Sequence, residues 1–330
     1  MVPIILISLK MSMNTNDACI IVASHISNPR RISHLLECLT SLLNQTIKIP
    51  IYLSISFETE ELKQAFAMLY SEEANFQTDM LSIIVKAKKT PQMRHMEELM
   101  MHIEPKHQWV MFCDDDDTYE PNRVQVFLQN IVNSYFRIQT TMPDKQFIGA
   151  YESTFGKDHK EQRHEFWCYC VHIGVLKHFI DRVKVHPDVL DHKCCDVFFG
   201  EYLRRSHPDK LFCSINIPLY NYRVENNSDS ITGVIQTQNK FVRKAREINY
   251  DNMQECANEL NEYLNTEIGI YIHDTYLRTI VGNDFQTILK NEFKSEVQIL
   301  HLVDQQHVFQ IMDYHNRLRE ICNELYDIKI

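Results

Sequence analysis

Four consecutive aspartates, Asp114-Asp115-Asp116-Asp117, follow the apolar run Trp109-Val110-Met111-Phe112-Cys113 and lead into Thr118-Tyr119-Glu120-Pro121. Adjacent carboxylates repel one another and lose hydration when drawn toward a core. Such a cluster is tolerated where it is fully solvated or where a cation neutralises it. The preceding run reads as a buried strand, which sets the loop at the rim of a core and favours the cation. Carboxylate oxygens are hard ligands suited to Mg²⁺, Mn²⁺ or Ca²⁺. Magnesium is usually held by one or two carboxylates together with substrate phosphates, and an ion placed there acts as a Lewis acid on a departing diphosphate. A solvated acidic turn and a calcium site are the alternatives, although the EF-hand calcium pattern requires a Gly that this loop lacks. Two further clusters, Cys168-x-Cys170-x-His172 and His192-x-Cys194-Cys195, invite a zinc reading. Zinc frameworks use mainly two-residue spacers between paired Cys, and these spacings differ.

The elements that must hold the aspartates are legible as alternating periods. Residues 18–24 form an apolar run that reads as a buried strand, and 28–31 a turn. Residues 32–44 carry Ile32, Leu35, Leu36, Leu39, Leu42 and Leu43 at helical spacing. Strands are expected at 49–56, 81–85 and 109–113, and helices at 60–70 and 92–103, the latter with Met93, Met96, Met100 and Ile103 on one face. Strand–helix alternation predicts parallel strands under right-handed crossovers. In such sheets ligands sit beyond the carboxyl ends of the strands, which brings Ser24-His25 to the same edge as the aspartates. Residues 131–230 read as mixed, with strand-like pieces at 146–151, 167–175 and 211–223 and a helix-like stretch at 195–204. Residues 231–330 read as helical, with one strand expected near 297–302.

The 330 residues suit one large domain, or a domain with a helical extension, and a hydrophobic content of 44% can fill its core. A formal charge of −10 weighs against nucleic acid as a partner, yet an acidic protein can bind a nucleotide across a bound cation. The 10 cysteines fall largely within apolar runs and read as reduced core residues. The apolar start, Val2-Pro3-Ile4-Ile5-Leu6-Ile7, is far shorter than the roughly 20 residues of a membrane span, and no clear signal peptide is present, so a cytoplasmic location is expected.

At its acidic loop the chain resembles the family 2 glycosyltransferases, whose pattern is a strand, Asp-x-Asp-Asp, three residues and Pro. Here that is Asp114 to Pro121 with the spacing kept. The opening strand Ile20-Ile21-Val22-Ala23-Ser24-His25 through Arg30, and the phrase Ser41-Leu42-Leu43-Asn44-Gln45-Thr46, are similar to the family's opening. Arg94 lies where the family carries an Arg before the acidic loop, and Tyr222-Arg223-Val224 followed by Ser228 and Ser230 resembles its closing phrase. The resemblance covers about residues 18–232. It implies a GT-A fold, that is, an α/β, Rossmann-like, mostly parallel sheet flanked by helices, with a C-terminal helical extension outside it. The implied layout is an N-terminal extension at 1–16, the transferase domain at 17–232 (a nucleotide-sugar half at 17–130, an acceptor half at 131–232), and a mainly helical region at 233–330.

The activity implied is metal-dependent transfer of a sugar from a nucleotide-diphosphate donor, a UDP-sugar first, to a hydroxyl of a glycan, protein or lipid-linked acceptor with inversion. Ser24, His25, Arg30, Ser56, Arg94, Asp114 and Asp115 would bind the nucleotide-sugar. Asp116 and Asp117 would hold Mn²⁺ or Mg²⁺, and Trp167, Tyr222 and Arg223 would serve the acceptor or a lid. Asp196, at the start of a helix where the dipole favours a carboxylate, matches the family's base. The chain departs from the pattern at Ser54-Ile55-Ser56-Phe57-Glu58, where an Asp-rich loop often reads the nucleobase. It departs also at Cys195, in place of Glu, and at Glu225 or Asn226, in place of His. A GT-A-like binding or scaffold protein without catalysis and a nucleotidyltransferase are the competing functions. The helices of 233–330 are expected to serve acceptor binding or homo-oligomer assembly.

Overall fold

The computed structural model describes residues 17–155, 160–161, 165–205, 210–223, 248–294 and 296–327. The expected N-terminal extension at 1–16, the boundary at 232–233, and Val224, Glu225, Asn226, Ser228 and Ser230 of the closing phrase lie outside them. The chain forms two compact units. One takes the described residues within 1–90, 95–176 and 209–222, the other those within 91–94, 177–208 and 223–330.

The first unit is built on a seven-stranded sheet. Its strands are β1 (Ala18–Ile26), β2 (Ile51–Phe57), β3 (Leu81–Lys86), β4 (Trp109–Asp114), β6 (Gln146–Glu152), β9 (Tyr169–His172) and β10 (Lys210–Ile215), in the order β10-β6-β9-β4-β1-β2-β3. Two small ribbons lie outside it: β5 (Thr118–Tyr119) pairs with β11 (Tyr220–Asn221), and β7 (Thr154–Phe155) with β8 (Lys160–Glu161). All strand pairs in the sheet are parallel except those of β9, which runs antiparallel to both β4 and β6. β1, β2 and β4 are near-continuous apolar segments, as expected of strands covered on both faces. The architecture is thus the expected Rossmann-like, mostly parallel α/β sheet flanked by helices.

Helix α1 (Pro29–Leu43) starts where Asn28 caps it, its side-chain oxygen accepting from the amides of Arg30 and Arg31, with Pro29 pre-set at the first position. It buries Ile32, Leu35, Cys38, Leu39 and Leu42. Each fully buried leucine contributes on the order of 1.5–3 kcal/mol. Helices α2 (Glu60–Glu72), α3 (Gln92–His102) and α4 (Arg123–Thr141) follow. Gly149 in β6 is required by close approach, because a Cβ there would lie 2.2 Å from the Cys170 carbonyl oxygen of β9.

The second unit is helical: α5 (Ile173–Val183), which begins just before it, α6 (Pro187–Leu190), α7 (Cys195–Arg204), α8 (Met253–Ile280), α9 (Phe285–Glu292) and α10 (Gln305–Asp327). One of its cores gathers Leu260, Leu264 and Tyr271 of α8 with Phe293, Ile299 and Ile311. No helix among the described residues is long and apolar enough to cross a membrane.

Three strand expectations change. Residues 167–175 divide into the end of a 3₁₀ turn (Phe166–Cys168), β9 and the start of α5, and residues 297–302 form a 3₁₀ turn rather than a strand. Residues 211–223 hold two separate strands, β10 and β11. In each case a short apolar run fits either period, and tertiary pairing decides. The ten cysteines are all free and buried, as expected.

Candidate active site

Register assembles the carboxyl edge of the sheet. β1 and β4 pair Ala23 with Asp114, so Ser24 falls beside Asp115, and its hydroxyl donates to Asp115 Oδ2 at 2.5 Å. β1 and β2 pair His25 with Ser56, whose side chains hydrogen-bond at 3.0 Å. His25 Nε2 lies 2.8 Å from Glu58, while Ser56 and Ser54 lie 3.2 and 2.8 Å from the two ring nitrogens of His95 on α3. A continuous chain of hydrogen bonds, Glu58–His25–Ser56–His95–Ser54, therefore runs along this edge.

The acidic loop is not a solvated turn. Asp115, Asp116 and Asp117 are 6%, 8% and 1% exposed, and Asp114 is half-buried. Arg31, in the first turn of α1, reaches across: its Nη1 lies 2.8 Å from Asp116 Oδ2 and its Nη2 donates to Asp115 Oδ1. Burial pushes the Asp115 carboxyl up to about 6, helped by Asp116 and opposed by Arg31 and the Ser24 hydroxyl. Burial works against the charge on Arg31, but the surrounding carboxylates outweigh it and raise its pKa above the ordinary arginine value. Asp117 accepts from the Tyr220 hydroxyl at 2.8 Å, and that hydroxyl also accepts the Asp114 amide at 3.1 Å.

Gln45 and Thr46, just past the C-cap of α1, fix the turn after the aspartates. Gln45 donates to the Glu120 carbonyl at 2.9 Å and accepts the Val124 amide at 3.1 Å, while the Thr46 amide donates to the Pro121 carbonyl at 2.7 Å. Behind the loop, Trp167 stacks on Tyr220 at 4.2 Å and on Tyr222 at 5.5 Å. This stack rests on Arg123, fully buried, which donates to the Trp167 carbonyl at 2.8 Å and lies over the rings of Tyr119 and Tyr220. Glu152, equally buried, sits 3.5 Å from Arg123 and accepts the amides of Leu219 and Tyr220.

Of the residues singled out in the sequence, Ser24, His25, Ser56 and the four aspartates meet at this edge, with Trp167 and Tyr222 stacked beside Tyr220. Arg30 is exposed on α1, and its neighbour Arg31 makes the contacts to the aspartates. Arg94 belongs to the second unit and donates to Asp191 at 2.5 Å. Asp196, in the first turn of α7, and Arg223 belong to that unit too. Arg31, Tyr220, His95 and the Arg123–Glu152 pair were not foreseen. Arg31 was readable in principle, since it is in phase with Leu35, Cys38 and Leu42 on the buried face of α1.

Among the described residues, one group of three His, Cys or acidic side chains converges closely enough for a metal: His192, Cys194 and His273, in the second unit. His192 Nδ1 there accepts the Cys194 amide at 3.2 Å and Nε2 faces His273 Nδ1 at 3.3 Å, so both ring nitrogens are already engaged. In the acidic loop two carboxylates converge, joined by Arg31. A cavity of 430 Å³ lined by Trp109, Tyr135, Phe147 and His172 opens at the amino end of β4, the edge that ligands of parallel sheets do not use.

His95 carries a pH prediction. Burial lowers its pKa to about 4, so the folded chain holds it neutral where an unfolded chain would protonate it. Its contribution is complete above the unfolded pKa of about 6.5 and is lost as pH falls toward 4, on the order of 1 kcal/mol per pH unit. The melting temperature of the wild type is expected to fall between pH 7 and pH 5 by more than that of His95→Gln. Equal falls would remove His95 from the acid response.

Fold and edge together define a Rossmann-like α/β protein with a buried acidic loop where such sheets receive a ligand. No family model and no curated protein matches the sequence. Solved structures are similar to it at low identity. S. aureus TarS is 12% identical over 91% of this chain and 55% of that one, with a TM-score of 0.39, so this chain spans about half of that structure. S. aureus TarS 1–349 in complex with UDP is 10% identical, over 92% of this chain and 91% of that one, with a TM-score of 0.41. The complex with UDP-GlcNAc is also 10% identical, over 93% and 92%, with a TM-score of 0.39.

Proposed function

We propose that this chain is a metal-dependent glycosyltransferase that moves a sugar from a nucleotide-diphosphate donor to an acceptor hydroxyl with inversion. The observation that carries the reading is the buried acidic edge: aspartates at the carboxyl end of a parallel strand, neutralised by a cation, with the hydroxyls and imidazole of Ser24, Ser56 and His25 on the adjoining strands. The family-like spacing of the loop supports it. The donor set fits a hard divalent cation, since it offers buried carboxylate oxygens and already holds one positive group, the Arg31 guanidinium.

In this reading Asp114 and Asp115, with Ser24, His25, Arg30 and Ser56, bind the nucleoside side of the donor. Asp116, with Asp117, would hold Mn²⁺ or Mg²⁺, which supplies positive charge at the departing diphosphate. Arg94 neutralises the diphosphate. Trp167, Tyr222 and Arg223 receive the acceptor or cover it. Asp196 takes the proton of the acceptor hydroxyl as that oxygen forms its bond to the anomeric carbon and the bond to the diphosphate breaks.

The test is a titration of the protein with UDP-sugars with and without Mn²⁺, read by thermal shift, followed by turnover of the sugar that binds. Asp196→Asn is expected to retain donor binding and to lose transfer by at least about a hundredfold. Full activity in that variant would move the base elsewhere. The absence of any thermal shift across the panel of nucleotide-sugars would remove the donor and with it the reading.

A further inference from the structure

The acidic loop carries an ion pair that the motif does not call for. Arg31 is 14% exposed at its side chain, holds Asp116 Oδ2 at 2.8 Å through Nη1, and holds Asp115 Oδ1 through Nη2. Ser24 occupies the other oxygen of Asp115, and Tyr220 occupies an oxygen of Asp117. The planar fork of a guanidinium suits two carboxylate oxygens at once, which a lysine cannot match. Resting on the proposed nucleotide-sugar reading, we infer that Arg31 is an internal counter-ion: a divalent cation arriving at Asp116 displaces it, and the released guanidinium pairs with the donor diphosphate.

Charge and geometry drive the exchange. An ion bound to a carboxylate oxygen lies about 2.0–2.2 Å from it. A guanidinium kept on that same oxygen would stand within a few ångström of the ion, and like charges at that range repel strongly in a poorly solvated site. Carboxylates engaged by Arg31 are therefore poor metal ligands until Arg31 finds another anion. A diphosphate is that anion, with oxygens that take the guanidinium bidentately. The backbone of Arg31 stays fixed by the Asn28 cap, so the movement is one of side-chain rotamers alone. Cation and nucleotide then favour each other's binding through Arg31, and the coupling is reciprocal.

The experiment measures Mn²⁺ binding by calorimetry, without nucleotide and then with UDP, for the wild type, Arg31→Met, Arg31→Lys and Asp116→Asn. Without nucleotide, Arg31→Met is expected to bind Mn²⁺ at least about tenfold more tightly than the wild type. Arg31→Lys keeps the charge but not the fork, and is expected to show a smaller gain in the same direction. It also stands in for Arg31→Met should that variant fail to fold. UDP is expected to raise Mn²⁺ affinity in the wild type and to do so less in Arg31→Met. Mn²⁺ binding unchanged or weakened in both Arg31 variants, with the wild type binding and Asp116→Asn not, would overturn the exchange while leaving the metal reading in place. Failure of the wild type and both Arg31 variants to bind Mn²⁺ would overturn both.

Discussion

Replacing Asp116 with alanine is expected to abolish sugar transfer and donor hydrolysis while the protein stays folded. Asp116 is the carboxylate of the loop proposed to meet the cation, and a cation at a departing diphosphate supplies several kcal/mol of transition-state stabilisation. Loss of about 4 kcal/mol corresponds to roughly a thousandfold in rate. The stability cost is modest by comparison. Arg31 keeps its contact with Asp115, and the turn after the aspartates keeps its clamps to Gln45 and Thr46. Removing one of several crowded carboxylates also relieves repulsion. The check is a transfer assay with a UDP-sugar and Mn²⁺, alongside a thermal melt. Unchanged turnover in a folded Asp116→Ala protein would eliminate the metal role assigned to this side chain.

How much of this site was legible depends on which interaction carries each part of it. Strands β1, β2 and β4 are continuous apolar segments, and their order in the chain with helices between them places their carboxyl ends on one edge. That was enough to bring Ser24 and His25 to the aspartates from positions far away in sequence. The direction of β9 was not readable, because a four-residue strand with three buried residues looks the same in a parallel or an antiparallel pairing. Helix α4 straddles residue 130, the boundary between the first two blocks of the sequence, and its buried positions Val124, Phe127, Leu128, Ile131 and Ile138 fall on both sides of that boundary. Arg30 and Arg31 differ by about 100° around the helix, and phase with Leu35 and Cys38 would have chosen Arg31. His95 was hidden among the methionines of α3. Arg31 pairs with two of the aspartates, a positive partner that the repulsion of the carboxylates did not single out.

The least legible part was the support under the site, and it yields the largest expected stability change. Arg123 and Glu152 are both fully buried, 29 positions apart in the numbering and without a motif to connect them. Arg123 holds the Trp167 carbonyl and lies against Tyr119, Phe127 and Tyr220, while Glu152 holds the amides of Leu219 and Tyr220. Burial pushes the Glu152 carboxyl up, and Arg123 opposes that shift. Glu152→Gln preserves an acceptor for the two amides and removes only the charge, which leaves the Arg123 guanidinium buried and uncompensated. Breaking a buried pair in this way costs about 3–5 kcal/mol. The expected result is a drop of that size in unfolding free energy by denaturant titration. Arg123→Met/Glu152→Gln, which removes both charges, should lose less than Glu152→Gln alone, because the desolvated cation is gone. A Glu152→Gln protein as stable as the wild type would show that Arg123 finds its compensation elsewhere, in the aromatic rings and the Trp167 carbonyl. Glu152→Ala, which removes the acceptor as well as the charge, links the support to the site: Tyr220 is held by Glu152 through its amide and in turn holds Asp117 through its hydroxyl. Loosening β11 is therefore expected to weaken Mn²⁺ binding as well, whereas a purely local effect on the core would leave metal affinity unmoved.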